Sequence, residues 1–182
     1  MTTYPIHTVD TAPDGARQTL VGLRQAFGQL PNLAATMANA PALVNSFYAA
    51  FGQFAGGTFT AAERQVLLLT NAVTNTCAWA VAFHSTAALA AGVQPSDVDA
   101  IRRRAAPADP RLAALSSLTR TLIDKRGHLD PADVTAFTGA GFDANQVLEA
   151  ITGVAISAMA NYAGNVAQPP LEAPLEPQAW RG

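Results

Sequence analysis

A single cysteine and a histidine near the middle of the chain could do chemistry together. Residues 71–84 read NAVTNTCAWAVAFH, with Cys77 and His84 seven positions apart. Residues 74–76 (Thr-Asn-Thr) favour helix ends, because their side chains compete for backbone hydrogen bonds. A helix is therefore predicted to restart there, with Cys77 in its first turn. Amide donors and the positive end of the helix dipole favour a thiolate at that position.

The seven-residue spacing places Cys77 and His84 two turns apart on one helix face, with Ala80 between them. That arrangement fits thiol chemistry in which the histidine moves a proton. It also fits a packing role, because free cysteine usually behaves as a small buried hydrophobe and His84 stands among apolar neighbours. The spacing alone leaves both interpretations open.

These residues must be positioned by helices, because the chain is rich in alanine and alternating strand patterns are rare. An all-α fold is predicted. The predicted helices span residues 15–29, 41–54, 60–73, 76–91, 96–104, 110–126, 131–139 and 144–166.

Capping residues mark the ends of these helices. A capping box at Thr60–Glu63 and Asp-Pro pairs at 109–110 and 130–131 indicate helix starts. Gly92 and Gly141 stand where helices are expected to end. The basic run at residues 102–104 closes a short helix and is predicted to be solvated.

The chain is predicted to be one domain over residues 1–182, with a core at about 15–167 and a tail at 168–182. The tail holds four prolines and Trp180, so it is predicted to be extended and to need a surface. A groove on the same chain and a neighbouring subunit are both open as that surface. Similar Ala-Gly hydrophobic segments near residues 91 and 140 suggest two related helical-hairpin halves.

The composition of the chain argues against several classes of partner and cofactor. Charged residues make up only 13% of the chain and the net charge is −2, so no nucleic-acid partner is expected. No long apolar run or secretory segment is visible, which predicts a cytoplasmic protein without a membrane partner. One cysteine excludes an intrachain disulfide and multi-thiolate zinc sites. Nucleotide- and metal-binding motifs are missing, so no cofactor is expected.

Several ordered landmarks make the chain resemble the carboxymuconolactone decarboxylase/AhpD-like family, specifically its peroxidase-related branch. The family's Cys-x-x-Cys-x-x-x-His motif corresponds here to residues 77–84, read as CAWAVAFH. Early, middle and late landmarks follow in the family's order. They are Leu30-Pro31-Asn32-Leu33, Pro41, Phe47-Tyr48, Thr60–Val66, Gly141-Phe142, Gln146–Leu148, Asn161-Tyr162 and Trp180.

The resemblance implies hydroperoxide reduction by a cysteine pair, with the motif histidine and a glutamate on the preceding helix relaying protons. Carried over, the first cysteine is Cys77 and the histidine is His84. The second cysteine is replaced by Ala80, and Gln65 stands where the glutamate is expected. Glu63 lies on the opposite side of that helix, and a capping role is its simpler interpretation.

Three functions follow from the resemblance. The first is a one-cysteine thiol antioxidant that reduces hydroperoxides through Cys77, with His84 as proton relay, Gln65 as orienting group and an external thiol as reductant. The second is a non-catalytic oligomeric protein that binds a small molecule or has a structural role. The third is decarboxylation of a carboxymuconolactone-like acid, which Ala80 disfavours because that branch carries a glutamate there.

The resemblance also implies self-association. A homo-oligomer, either a trimer or a multiple of one, is expected, with the motif helix near a subunit interface. The low charge of the chain agrees with this expectation.

Overall fold

The structure is a computed structural model that describes residues 4–182. Within that range nine α-helices form and no β-strand does, which confirms the predicted all-α class. In chain order the α-helices are α1 (Asp14–Phe27), α2 (Asn32–Met37), α3 (Pro41–Ala55), α4 (Ala61–Thr74), α5 (Ala78–Ala90), α6 (Pro95–Arg102), α7 (Pro110–Asp124), α8 (Pro131–Gly139) and α9 (Asn145–Ala167). A 3₁₀ helix, Ala173–Gln178, follows them.

Local capping explains why the predicted boundaries agree with the observed ones to within about two residues. At the start of α4, the Glu63 amide donates to the Thr60 hydroxyl at 3.2 Å, and the Glu63 carboxylate accepts the Thr60 amide at 2.8 Å. Gly92 and Gly141 have φ values of 86° and 88°, the left-handed conformation that ends a helix. The capping box and both glycine ends are therefore confirmed.

Helix α2 was not predicted. Its residues 33–37 are all buried, so no polar face alternates with an apolar one to give a helical period. The helix is nevertheless important for the site, because it forms part of one pocket wall.

Helix α4 is the centre of the core. Residues 66–73 are buried without interruption, and α4 packs against α5, α7 and α9. A helix buried on all sides carries apolar residues around its whole circumference. Because α4 and α5 are joined by a short turn, this packing holds the start of α5 deep inside the protein.

Helix α9 runs parallel to α4 and approaches it closely at Gly153. A Cβ atom at Gly153 would lie only 2.5 Å from Leu67 Cδ2. Near the other end, Asn165 Nδ2 donates to the Asn75 carbonyl at 2.8 Å. These contacts place residues 153–165 of α9 beside residues 67–75, which belong to α4 and its C-cap, and align α9 with the start of α5.

The tail packs on its own chain. The sequence left open a groove on the same chain and a neighbouring subunit, and the structure has the first of these. Glu172 accepts hydrogen bonds from Trp79 Nε1 at 3.0 Å and from the Asn32 amide at 2.6 Å. Arg102 donates to the carbonyls of Gln178 and Ala179 at 3.0 Å each. The prediction of a fully extended tail was wrong over 173–178, where a 3₁₀ turn forms.

Arg102 also departs from the solvated role predicted for residues 102–104. It is half-buried, and it donates to the Ser85 hydroxyl at 3.0 Å as well as to the tail carbonyls. A guanidinium group has five N–H donors, so one side chain can hold several backbone groups. Arg102 therefore fastens the tail to α5 and α6.

None of the helices in residues 4–182 combines the length and apolar character needed to cross a membrane. The division into one domain with two related halves stays a prediction.

Candidate functional site

Cys77 is the N-cap residue of α5 rather than a member of its first turn. Its side chain is 1% exposed and makes no capping hydrogen bond. The thiol packs against α9, because a Cβ atom at Gly164 would lie 2.7 Å from Cys77 Sγ and 3.5 Å from Leu33 Cδ1. Only glycine at 164 leaves room for the sulfur.

Burial raises the pKa of the Cys77 thiol above its ordinary value. The amides of Trp79 and Ala80 act in the opposite direction, but they do not outweigh the loss of hydration. The thiol form is therefore favoured at neutral pH. The nucleophile in cysteine chemistry is the thiolate, so this environment disfavours reaction at Cys77.

His84 and Gln65 are brought together by the packing of α5 on α4. His84 Nδ1 lies 3.0 Å from Gln65 Oε1. With the amide oxygen as acceptor, Nδ1 carries the ring proton and Nε2 keeps a lone pair. The sequence predicted these two residues as members of one site, and the structure places them in direct contact.

Burial lowers the pKa of His84 from 6.5 to about 3. His84 as a residue is partly exposed, yet the surrounding protein removes enough water to disfavour the imidazolium. Gln65 is uncharged and does not stabilise a cation as a carboxylate would. His84 is therefore a neutral imidazole near pH 7, able to accept a hydrogen bond or a proton at Nε2.

A cavity of about 50 Å³ adjoins His84. That volume holds about one or two water molecules, or the buried part of a small organic ligand. Most of its wall is apolar, and the aromatic members come from α1, α3 and α5. They are Phe27, Phe47, Phe51, Trp79 and Phe83.

Ring packing holds this wall together. Trp79 and Phe83 stack with centroids 5.2 Å apart, and Phe27 meets Phe83 edge to face at 5.5 Å. Trp79 is fixed from outside by its hydrogen bond to Glu172 of the tail. The tail therefore stabilises one wall of the cavity.

Ala80 and His84 line the cavity, whereas Cys77 does not. The predicted helix face is therefore divided: Cys77 Sγ packs against α9, whereas Ala80 and His84 face the cavity. The structure records no hydrogen bond between the Cys77 thiol and His84. The catalytic roles assigned to Cys77, His84 and Gln65 stay predictions.

The sequence interpretation missed Ser157, the second polar residue of the cavity wall. Ser157 is on α9, is 4% exposed, and its hydroxyl oxygen has no hydrogen-bond partner. Its signal in the sequence was weak: small and polar residues recur on the α9 face that includes Gly153, Ser157, Asn161 and Gly164.

Unpartnered buried polar atoms gather where α4 packs on α9. Within residues 4–182, the buried side-chain atoms without a partner are Asn71 Oδ1, Ser157 Oγ and Asn161 Nδ2. Of these three residues, only Ser157 lines the cavity. The hydroxyl of Ser157 is therefore the unpaired group available to a bound molecule.

Glu63 has the structural role predicted for it. Besides its capping bonds, its carboxylate accepts a hydrogen bond from Arg111 Nε at 2.6 Å. Burial opposes ionisation of Glu63, but the bonds from Thr60 and Arg111 outweigh it and keep its pKa below the ordinary value. Glu63 does not line the cavity.

The charge of the cavity wall bears on the kind of ligand. No arginine, lysine, aspartate or glutamate is among its lining residues, and His84 is neutral. A carboxylate buried there would lose hydration without gaining a cationic partner. The cavity therefore suits uncharged molecules.

Comparison with known proteins gives a consistent picture of the fold. Residues 40–121 match the model of the carboxymuconolactone decarboxylase family. No curated protein sequence matches the chain.

Three solved structures are similar over almost the whole chain. A peroxidase-related protein with an alkylhydroperoxidase AhpD core, from Ralstonia eutropha JMP134, is 20% identical and has a TM-score of 0.82. The alignment covers 94% of this chain and 93% of that protein. A peroxidase-related protein from Silicibacter sp. TM1040 is 17% identical, with a TM-score of 0.78 and coverage of 97% and 94%. The debrominase Bmp8 is 18% identical, with a TM-score of 0.78 and coverage of 98% and 96%.

Proposed function

We propose that this chain, whose residues 40–121 match the carboxymuconolactone decarboxylase family and whose fold is AhpD-like, binds a small uncharged ring molecule at the cavity beside His84. His84 Nε2 accepts a hydrogen bond from the ligand, and Gln65 holds the ring in the required tautomer. The observation that carries this proposal is a cavity with an aromatic wall, a neutral imidazole and no charged lining residue.

One neighbour supports a ring-shaped ligand. The C82A variant of the debrominase Bmp8, 16% identical to this chain with a TM-score of 0.77, was crystallised with 2,3,4-tribromopyrrole. That ligand is an uncharged aromatic ring with one N–H donor. A donor of this kind is what a neutral histidine nitrogen accepts.

Phenol is a suitable first probe, because it is an uncharged ring with one hydroxyl donor. We expect NMR titration to show saturable phenol binding with shifts at residues of α5 and α9. Benzoate, which has a similar ring and a negative charge, should bind at least tenfold more weakly. His84→Asn should weaken phenol binding by about 2- to 13-fold, the value of one hydrogen bond.

Cys77→Ala is the matched control, because Cys77 lies outside the cavity and its replacement should leave phenol binding unchanged. Equal binding of benzoate and phenol, or no binding of either, would overturn the proposal.

A second candidate is hydroperoxide reduction at Cys77. Proximity of the Trp79 and Ala80 amides to the thiol favours it, and so does similarity to peroxidase-related proteins. In this reaction the thiolate attacks the peroxide O–O bond, giving a sulfenic acid and an alcohol once the alkoxide takes up a proton. Two external thiols then restore Cys77, releasing water and forming their own disulfide.

A sulfenic-acid trap read by intact mass tests this second candidate. The burial of Cys77 leads us to expect slow labelling in the folded protein and fast labelling only after unfolding. Rapid labelling of the folded protein that slows in His84→Ala would support peroxide reduction instead. Cys77→Ala provides a cysteine-free blank.

A further inference from the structure

Ser157 is exceptional among the buried hydroxyl groups of residues 4–182. Thr36, Thr70 and Thr119 donate to the carbonyl four residues earlier, at 2.7–2.8 Å. Ser85 accepts a hydrogen bond from Arg102, and the hydroxyls of Ser116 and Thr70 share one, at 3.0 Å each. Ser157 has no partner at all.

The position of Ser157 shows which space its unpaired hydroxyl faces. Ser157 projects from α9 into the same cavity that His84 borders from α5, so two polar groups face the cavity from different helices. The neighbouring lining residues Ile156 and Ala160 cannot satisfy a hydroxyl with their side chains. A buried hydroxyl without a partner is unfavourable, and a ligand group that pairs with it regains that loss.

We infer that Ser157 is a second polar anchor of the cavity, and that its ligand is an uncharged ring carrying two hydrogen-bonding groups, one for His84 and one for Ser157. This inference rests on the proposed function, because it specifies the ligand of the same cavity. The apolar wall contacts the ring, while the two anchors select the positions of its substituents. Ser157 thereby determines specificity.

The experiment compares phenol with two diols, catechol and resorcinol, by NMR titration of the full chain in argon-flushed buffer. Phenol has one hydroxyl, and the diols place a second hydroxyl at two different distances from the first. We expect at least one diol to bind about 2- to 13-fold more tightly than phenol, the gain from one additional hydrogen bond.

Ser157→Ala should remove this advantage, so that neither diol binds the variant more tightly than phenol does. Ser116→Ala is the matched control, since Ser116 is also a buried serine but lies on α7 outside the cavity. It should keep the advantage. Thermal unfolding separates a structural role: Ser157→Ala loses no hydrogen bond and should melt no earlier than the wild type, whereas Ser116→Ala loses the bond with Thr70 and should melt earlier.

The two proposals fail in different ways. Phenol binding without tighter binding of either diol overturns the role of Ser157 and leaves the proposed function standing. If a diol still binds Ser157→Ala more tightly than phenol does, the role of Ser157 is likewise overturned and the proposed function stands. If none of the three compounds binds, the proposed function fails and the inference fails with it.

Discussion

Mild acid should destabilise this protein through His84. The pKa of His84 is about 3 in the folded chain, against 6.5 for an ordinary histidine. Between these values the unfolded chain binds a proton that the folded chain does not bind. The free energy of unfolding therefore falls as the pH drops from about 6.5 towards 3, and His84 contributes no pH dependence well above 6.5.

The magnitude follows from the same two pKa values. Lowering the pH from 7 to 5 crosses about 1.5 pH units below the unfolded pKa, and each unit corresponds to about 1.36 kcal/mol. The expected loss is about 2 kcal/mol, an upper bound because His84 is partly exposed. For a chain of this size, that loss lowers the melting temperature by about 4–8 °C.

Urea unfolding at pH 7 and pH 5 measures this loss in the wild type and in His84→Asn. Asparagine retains an N–H group to donate to Gln65 and does not titrate, so carboxylates such as Glu63 contribute equally to both proteins. The wild type should lose about 2 kcal/mol more than the variant on acidification. An equal loss in both proteins would refute the reasoning and show that His84 is hydrated enough to titrate normally.

Three further predictions concern packing, electrostatics and assembly. Gly164→Ala forces a Cβ atom against Cys77 Sγ and should lower the free energy of unfolding in urea by about 1–3 kcal/mol. Combining it with Cys77→Ala should partly restore that stability. Strictly additive effects of the two substitutions would contradict this contact. Glu63→Ala removes the capping box and the ion pair with Arg111, and should lower the free energy of unfolding by about 2–4 kcal/mol. We also propose that the exposed apolar face of α9 meets a second copy of the chain. Val166 is on that face and is 69% exposed. If a homo-oligomer forms there, Val166→Lys should lower the mass measured by light scattering. An unchanged mass above that of the monomer would place the interface elsewhere.

Most of the helical framework was predictable from the sequence because its determinants are local. A capping box, an Asp-Pro pair or a glycine with positive φ acts within one helical turn, so its effect does not depend on distant residues. The contact between Gln65 and His84 was also foreseeable, because the resemblance assigned both positions to one site. Helix α2 could not be predicted in the same way, because complete burial removed its amphipathic period.

The character of the site depends on long-range packing. Whether Cys77 faces a ligand or the core is decided by Gly164, 87 positions later in the chain, which leaves room for the sulfur beside α9. Ser157 became important only when α9 brought it into the cavity bordered by α5. The helical period predicts which residues share one face of a helix. Which element packs against that face depends on the packing of the whole chain. The sequence by itself determined the helices, their ends and the resemblance to the family. The tertiary structure decided that His84 and Ser157 border the cavity while Cys77 is buried, because burial and loss of hydration depend on atoms from every packed helix.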